Sequence, residues 1–494
     1  MWFLKKRYLT LVMCGLVVIT LFMSLAQCSS GSQPLPNIII IVMDTVRIDH
    51  LSCCGYSRET TPNLNKLVKQ SRLYLNAYST SSWTPPAHAS LFTGLYPIAH
   101  RTTQENHRLP RRLVTLAEVL LDKGYETFAI SGNPLISKQF QFDQGFLHFF
   151  EAWRSPGYLP ENSSYIAFKE ILNQRDRQKP FFLFINFIEP HTPYDSARFF
   201  AHRFVRNSAV NCYFNEWVDV VTGKKTFTTE EIEHLIDRYD AEILYVDYLV
   251  GKIISQLKSN KLWHNTLFIV TSDHGENFME HNLVDHMFSL HQTLINIPLI
   301  IKYPRLFPAN SKDYTPVQLT DIFPTLLYVV GVDQGTFYSQ GCNLLNQQDL
   351  QRRTLLAEYY SPKQVFTVIK NLEPPNPEFK EKQDNKRTHA FRHLEKKYPV
   401  LKKYYRRIKT VIDNNFKLIW GSDGEHELYD LKKDPRELNN LINERHYTRI
   451  KLKLLNKLKE LVKKYEGNSP VRRSKKRKKI DKETEKALKS LGYL

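Results

Sequence analysis

Residues 37–44 read Asn-Ile-Ile-Ile-Ile-Val-Met-Asp. Six consecutive apolar side chains leave no polar face, so the segment predicts a strand buried on both sides, the habit of parallel sheets covered by helices. Two later runs repeat the pattern, Phe181–Phe187 (F-F-L-F-I-N-F) and Leu267–Thr271 (L-F-I-V-T). Each ends beside chemically capable residues: Asp44, then Glu189 and His191, then Asp273 and His274. Ligands of open α/β sheets gather beyond the carboxyl ends of strands, so three such ends predict one shared site. Helical patterns at Leu113–Lys123 and Thr229–Leu257 lie between them. The expected fold class is α/β, a doubly wound and mostly parallel sheet.

Working outward, the character changes after about residue 340. Phe416–Trp420 and Glu427–Asp430 predict short antiparallel strands of a smaller C-terminal subdomain, and Arg449–Tyr465 an amphipathic basic helix. Tyr359–Lys409, with its Leu372–Pro377 proline cluster, reads as a polar, loop-rich insertion. The expected organisation is an N-terminal address segment at 1–28, a catalytic domain at 36–340, the smaller subdomain at 341–441 and a basic helical tail at 442–494. No internal repeat is visible.

Of 494 residues, 42% are hydrophobic and 12% aromatic, which excludes a disordered chain and allows a large core. The net charge is +19, but residues 442–494 hold 18 Lys/Arg against 6 Asp/Glu, so much of the excess is local to the tail. Lys5, Lys6 and Arg7 precede an apolar run from Tyr8 to Ala26, the pattern of an export signal and near the length that spans a bilayer. Ser24-Leu25-Ala26 offers a cleavage site, and Leu25-Ala26-Gln27-Cys28 is close to a lipoprotein box, so a cleaved signal, a lipid anchor and a retained anchor are all open. Each puts the body outside the cytoplasm, in the periplasm or cell envelope, and either anchor makes the membrane a partner. That address argues against nucleic acid as partner of the basic run Arg472–Lys479, which reads as a solvated surface that could also touch anionic lipid or wall polymer. Beyond Cys14 and Cys28, the cysteines are Cys53, Cys54, Cys212 and Cys342, too sparse for a disulfide framework.

Asp273-His274-Gly275-Glu276 can supply a carboxylate oxygen and an imidazole nitrogen to one cation, or simply cap a turn. Asp44 has the same two readings, and Arg47 and Asp49 behind it can pair. His88, His191, His281 and His286 all sit near predicted strand ends or loops, where several imidazoles suit an anionic tetrahedral substrate. Ser81–Gly94 (S-S-W-T-P-P-A-H-A-S-L-F-T-G) puts a hydroxyl residue, Thr84, before two prolines and a helix-like run.

Together these blocks resemble the sulfatase family of the alkaline phosphatase superfamily. The resemblance runs from about Pro36 to Leu441 and includes Pro36–Asp49, Thr61–Leu64, Thr84–Gly94, Phe181–Tyr194, Thr271–Glu276, Asp321–Thr325 and Leu428–Leu431 followed by Asp434-Pro435. It implies a doubly wound α/β domain followed by a small C-terminal sheet. It also implies metal binding by Asp44, Asp273 and His274, and substrate binding by His191 and His281. His286 and Asn133 fall near positions where the family usually has lysine.

The departures bear on mechanism. The family's Cys/Ser-x-Pro-x-Arg block becomes Thr84-Pro-Pro-Ala-His88, with threonine as nucleophile and histidine in place of arginine. Formylglycine is not expected, because oxidising threonine at Cβ gives a ketone rather than an aldehyde. Thr45 also replaces a second Asp common in calcium-binding members. The expectation is a metal-dependent hydrolase of sulfate or phosphate esters, with Thr84 activated by Zn²⁺, Mn²⁺ or Ca²⁺, acting on a glycan, lipid or small molecule. The alternatives are a phospho-head-group transferase acting on envelope material and an inactive binding protein.

Overall fold

The computed structural model describes residues 34–154, 162–195, 198–206, 220, 225–333, 335–361, 404, 406–471 and 480–490. The Tyr8–Ala26 run, Cys212, the 372–377 cluster, the 472–479 basic run and the last four residues lie outside them. Among the described residues no helix is long and apolar enough to cross a membrane.

The opening octet forms β1 (Asn37–Met43), every residue of it buried. Its pleat sends Ile38, Ile40 and Val42 into one core and Ile39, Ile41 and Met43 into the other. Two buried faces are what an unbroken apolar run requires, and each fully buried branched side chain contributes roughly 1.5–3 kcal/mol. The further strands are β2 (Arg72–Tyr78), β3 (Glu126–Ser131), β4 (His148–Glu151), β5 (Phe181–Phe187) and β6 (Thr266–Thr271). A small hairpin, β7 (Asn277–Phe278) and β8 (Val284–Asp285), precedes β9 (Asn296–Lys302), β10 (Ser311–Asp313) and β11 (Val317–Gln318).

The main sheet runs β10-β2-β9-β6-β1-β5-β3-β4, with β11 also paired to β2. Its pairs are parallel except those of β9, which is antiparallel to β2 and β6. Helices Ser163–Gln174 and Thr229–Ser259 pack on one face. Helices Thr84–Thr93, Leu116–Asp122 and Ile322–Val329 pack on the other. The α/β class and the mostly parallel sheet are therefore as expected. The first helical pattern begins three residues later than its apolar periodicity suggests. Thr115 caps Leu116–Asp122, its side chain accepting from Glu118 N at 3.2 Å while Glu118 returns to the Thr115 N–H at 2.8 Å.

The smaller antiparallel sheet is β12 (Leu355–Tyr360), β13 (Arg407–Asp413), β14 (Phe416–Gly421) and β15 (His426–Asp430), in that order. The segment expected to be loop-rich from Tyr359 thus starts and ends in strands, and 362–403 lies outside the described residues. One face of this sheet (Leu356, Val411, Leu418, Leu428) packs on Leu454, Leu458 and Tyr465 of helix Thr448–Gly467. The other face (Leu355, Ile408, Ile412, Ile419) merges with the main core. Lys453 and Lys457 of that helix also reach Asp413, at 2.8 and 2.5 Å.

Gly145 lies at φ +80, and a Cβ there would stand 2.1 Å from the Glu118 backbone nitrogen. Neither the backbone conformation nor the contact admits a side chain. Gly145→Ala is expected to destabilise by about 3 kcal/mol or more, read as a lowered denaturant midpoint.

Candidate active site

Asp44, Asp273 and His274 stand at the carboxyl ends of β1 and β6, which are neighbours, so parallel pairing alone brings them together. One ligand atom from each lies within 4.8 Å of the other two. The backbone turns sharply after β1: Thr45 adopts φ 58, its N–H donates to Asp273 Oδ1 at 3.1 Å, and its hydroxyl donates to the Pro190 carbonyl at 2.8 Å. Asp44 Oδ2 accepts from Asn133 Nδ2 at 2.8 Å and Asn186 Nδ2 at 3.1 Å. Asp44 Oδ1 and Asp273 Oδ2 are buried without a hydrogen-bond partner. Burial first, and then Asp273, raise the Asp44 pKa. Two facing buried carboxylates with bare oxygens fit a cation between them.

His274 is prepared for the same role. Its Nδ1 faces the Gly275 carbonyl at 3.0 Å, which can only accept, so Nδ1 carries the proton and Nε2 presents a lone pair. Burial first, then His286, pushes its pKa down to about 3, keeping the ring neutral. Gly275 is required by close approach, since a Cβ there would meet the Thr293 carbonyl oxygen at 2.0 Å.

Thr84 opens helix Thr84–Thr93, with prolines in its first turn, where no backbone N–H is needed, and Gly94 closing it at φ 66. The whole helix is buried. Thr84 Oγ1 is 3.2 Å from His274 Nε2, at the edge of the three-ligand group. One turn on, His88 Nδ1 donates to the Thr84 carbonyl at 2.9 Å and lies 3.7 Å from Asp273 Oδ2, while its Nε2 is buried without a hydrogen-bond partner.

His100 supports this helix from behind. It is fully buried, its Nδ1 accepts from Thr102 N at 3.0 Å, and its Nε2 lies 3.1 Å from Ser90 Oγ. Burial, the main cause, pushes its pKa from 6.5 down to about 3. Between those values the unfolded chain binds a proton that the folded chain does not, so stability is lost as pH falls from 6.5 toward 3. The loss across the window is on the order of a few kcal/mol. Stability of His100→Asn is expected to depend less steeply on pH than wild type in denaturant titrations across this range.

His191 and His286 complete the centre. Their ring centroids are 5.0 Å apart, and His286 stacks on His274 at 4.7 Å. Burial, then His286, lowers the His191 pKa. Burial works against charge on His286 as well, but Asp285 at 2.7 Å and Glu276 at 3.5 Å hold its pKa well above the usual histidine value. The structure therefore brings together Asp44, Thr84, His88, Asn133, His191, Asp273, His274 and His286. His281 stands with a different set: its ring stacks on His291 at 3.7 Å. Arg47 and Asp49 do pair, at 2.8 Å.

Sequence reading passes over Asn186, Glu276 and Asp285. Asn186 carries a signal as the lone polar residue within F-F-L-F-I-N-F, and parallel pairing sets it beside Val42, just before Asp44. Asp285 is the least legible of the three, because it turns toward His286 at φ 65, a conformation nothing in its flanks announces.

The sulfatase family model matches residues 36–332, and a model described as N-sulphoglucosamine sulphohydrolase, C-terminal, matches 375–464. An N-acetylglucosamine-6-O-sulfatase of Bacteroides thetaiotaomicron is 24% identical over 91% of this chain and 90% of its own. An arylsulfatase of Clostridium perfringens is 24% identical over 87% and 95%. Among solved structures, a phosphonate monoester hydrolase of Agrobacterium radiobacter superposes with a TM-score of 0.67 at 20% identity, over 87% of this chain and 96% of that one. A structure in complex with D-glucosamine-2-N,6-O-disulfate gives 0.66 at 20%, over 88% and 99%.

Proposed function

The chain belongs to the sulfatase family, hydrolases acting on ester bonds, and from that premise we propose that it cleaves anionic sulfate or phosphate esters with Thr84 as nucleophile. The observation that carries the reading is the position of Thr84 Oγ1, 3.2 Å from His274 Nε2 at the edge of the Asp44, Asp273 and His274 group. A divalent cation held by those three residues would lower the pKa of the Thr84 hydroxyl and offset charge on the ester oxygens. Two carboxylates and one imidazole suit Zn²⁺ or Mn²⁺ better than Ca²⁺, which takes more oxygen ligands.

The chain's own residues divide the remaining work. Asn133 and Asn186 fix Asp44 by holding its Oδ2. The Gly275 carbonyl fixes the His274 tautomer. His286, whose charge Asp285 and Glu276 sustain, orients the anion through a ring N–H, and His88 and His191 line the same space. Thr84 Oγ1 bonds to phosphorus or sulfur as the bond to the leaving oxygen breaks, and the threonine proton ends on that oxygen. Water then displaces Thr84 and restores its hydroxyl. Threonine favours phosphorus, since a phosphothreonine yields to in-line attack at phosphorus, while a threonine sulfate has no aldehyde hydrate to collapse.

The sulfated sugars named for the relatives make glycan esters the first substrates to try. Transfer to an envelope alcohol instead of water is the second reading, motivated by the same threonine. The N-terminal basic and apolar stretch supports a body outside the cytoplasm, tethered to the membrane if the stretch is retained or lipidated, which fractionation of cells carrying the full chain tests. The test of function is a panel of aryl sulfate, phosphate diester, phosphonate and sulfated-sugar substrates with added Zn²⁺, Mn²⁺ or Ca²⁺. Turnover of at least one is expected. No turnover with any metal, and no difference between wild type and Thr84→Ala on native envelope material, would refute catalysis.

A further inference from the structure

The loop beyond the Asp273 cluster carries a second set of ligating side chains that the ester chemistry leaves unused. His281, His291 and Glu437 each place one ligand atom within 4.8 Å of the other two. Among the described residues, no side-chain hydrogen bond or ion pair joins this set to Asp44, Asp273 or His274.

The surroundings of the set are those of ligands held from behind. Glu427 Oε2 lies 2.8 Å from His291 Nε2, the carboxylate–histidine arrangement that fixes an imidazole for coordination through its other nitrogen. That other nitrogen, Nδ1, is buried without a hydrogen-bond partner, on a residue only 5% exposed. Glu437 is 1% exposed; its Oε2 accepts from Gln292 N at 2.6 Å, and its Oε1 stands 2.7 Å from Lys417 Nζ. Arg406 sits 3.1 Å from Glu427. Glu427 thus has Arg406 as its cation, and Glu437 keeps lone pairs beyond those used by Gln292 and Lys417, with the bare Nδ1 of His291 beside it.

The set is also reachable. His281 and Gln292 line a cleft of about 1520 Å³ between the β2 and β9 ends of the main sheet and the turns of the small sheet. The two rings stack nearly parallel, at 10°. An ion lies close to the plane of every imidazole that binds it, so loading requires the rings to fan apart about their Cβ–Cγ bonds. His281, half-buried on the cleft wall, is the one with room to turn.

We propose that His281, His291 and Glu437 form a binding site for a divalent cation of the zinc class, with a fourth position open to the cleft. Two imidazoles and one carboxylate are a donor set that Zn²⁺ takes in sites with an open position. Because the donors come from the catalytic loop and from the segment after β15, an ion there would clamp the two together.

The experiment counts bound metal. Full-length protein is stripped, titrated with Zn²⁺ alone, separated from free ion, and its bound metal measured with circular dichroism as the folding control. Wild type is expected to hold two ions per chain. The double variant His281→Ala/His291→Ala should hold one, lost from this site. Asp273→Asn/His274→Ala should also hold one, retained here, and that ion should vanish when the two pairs are combined. If the histidine double variant misfolds, His291→Gln with Glu437→Gln replaces it, and visible absorption of bound Co²⁺ reports the same loss. An unchanged count in folded histidine variants, or no ion bound by Asp273→Asn/His274→Ala, overturns the proposal. A failure at the Asp44 site instead shows as wild type holding one ion that Asp273→Asn/His274→Ala keeps.

Discussion

Replacing Thr84 with alanine is expected to lower kcat on ester substrates by on the order of 10⁴-fold or more, the scale seen when a nucleophile is removed from a site whose members act as a unit. The fold should survive, because the change deletes one hydroxyl, whose hydrogen bond to His274 is worth only about 1 kcal/mol net, and one buried methyl worth about as much. Thr84→Ser is the informative partner. It keeps a hydroxyl at the same place on the first turn of helix Thr84–Thr93, so it should retain much of the activity that alanine loses. High-resolution intact mass after a short incubation should find a phosphoryl or sulfuryl adduct on wild type and none on Thr84→Ala. Activity of Thr84→Ala within tenfold of wild type would remove Thr84 from the reaction and leave the buried histidines without a nucleophile to serve.

Removing the metal is the second large effect. A cation that lowers the hydroxyl pKa and shields ester oxygens supplies several kcal/mol, so chelation, or Asp273→Asn, is expected to cost roughly 10³-fold in kcat. Asparagine keeps the shape and one oxygen but surrenders the charge that faces Asp44. Re-addition of Zn²⁺ or Mn²⁺ should restore chelated wild type but not Asp273→Asn at the same concentration. Full activity after exhaustive chelation would separate the carboxylate pair from catalysis.

Much of this centre is legible in the residue order alone, for a reason visible in β1, β5 and β6. Ligands of such a sheet gather beyond the carboxyl ends of its doubly buried strands, so an apolar run followed by Asp or His marks both the strand and the site. Asp44, Asp273, His274 and His191 are all legible this way. Thr84 is legible differently, from prolines that fit only a helix's first turn. What escapes depends on contacts distant in sequence or on local strain. Asp285 reaches His286 through a left-handed backbone, and Glu427 meets His291 across 136 residues. No spacing rule encodes either. His281 and His286 look alike in sequence, five positions apart, yet the first sits in the turn between β7 and β8 and the second just after β8, which sends one ring to His291 and the other to His274.

The hold of β15 and the residues after it on the loop that follows β6 also sets an order in time. The loop between Asp273 and Ile295 is secured by Glu427 at His291 and by Glu437 at the N–H of Gln292, partners made 136 and 145 residues later. A ribosome adding about 5–20 residues per second needs roughly seven to thirty seconds to reach them. Throughout that interval the loop has Arg47 at Glu280 and Ser82 at the Ser289 carbonyl, but not the two holds that come from after β14. The last two holds on that loop therefore close only once β15 and the residues after it have been made.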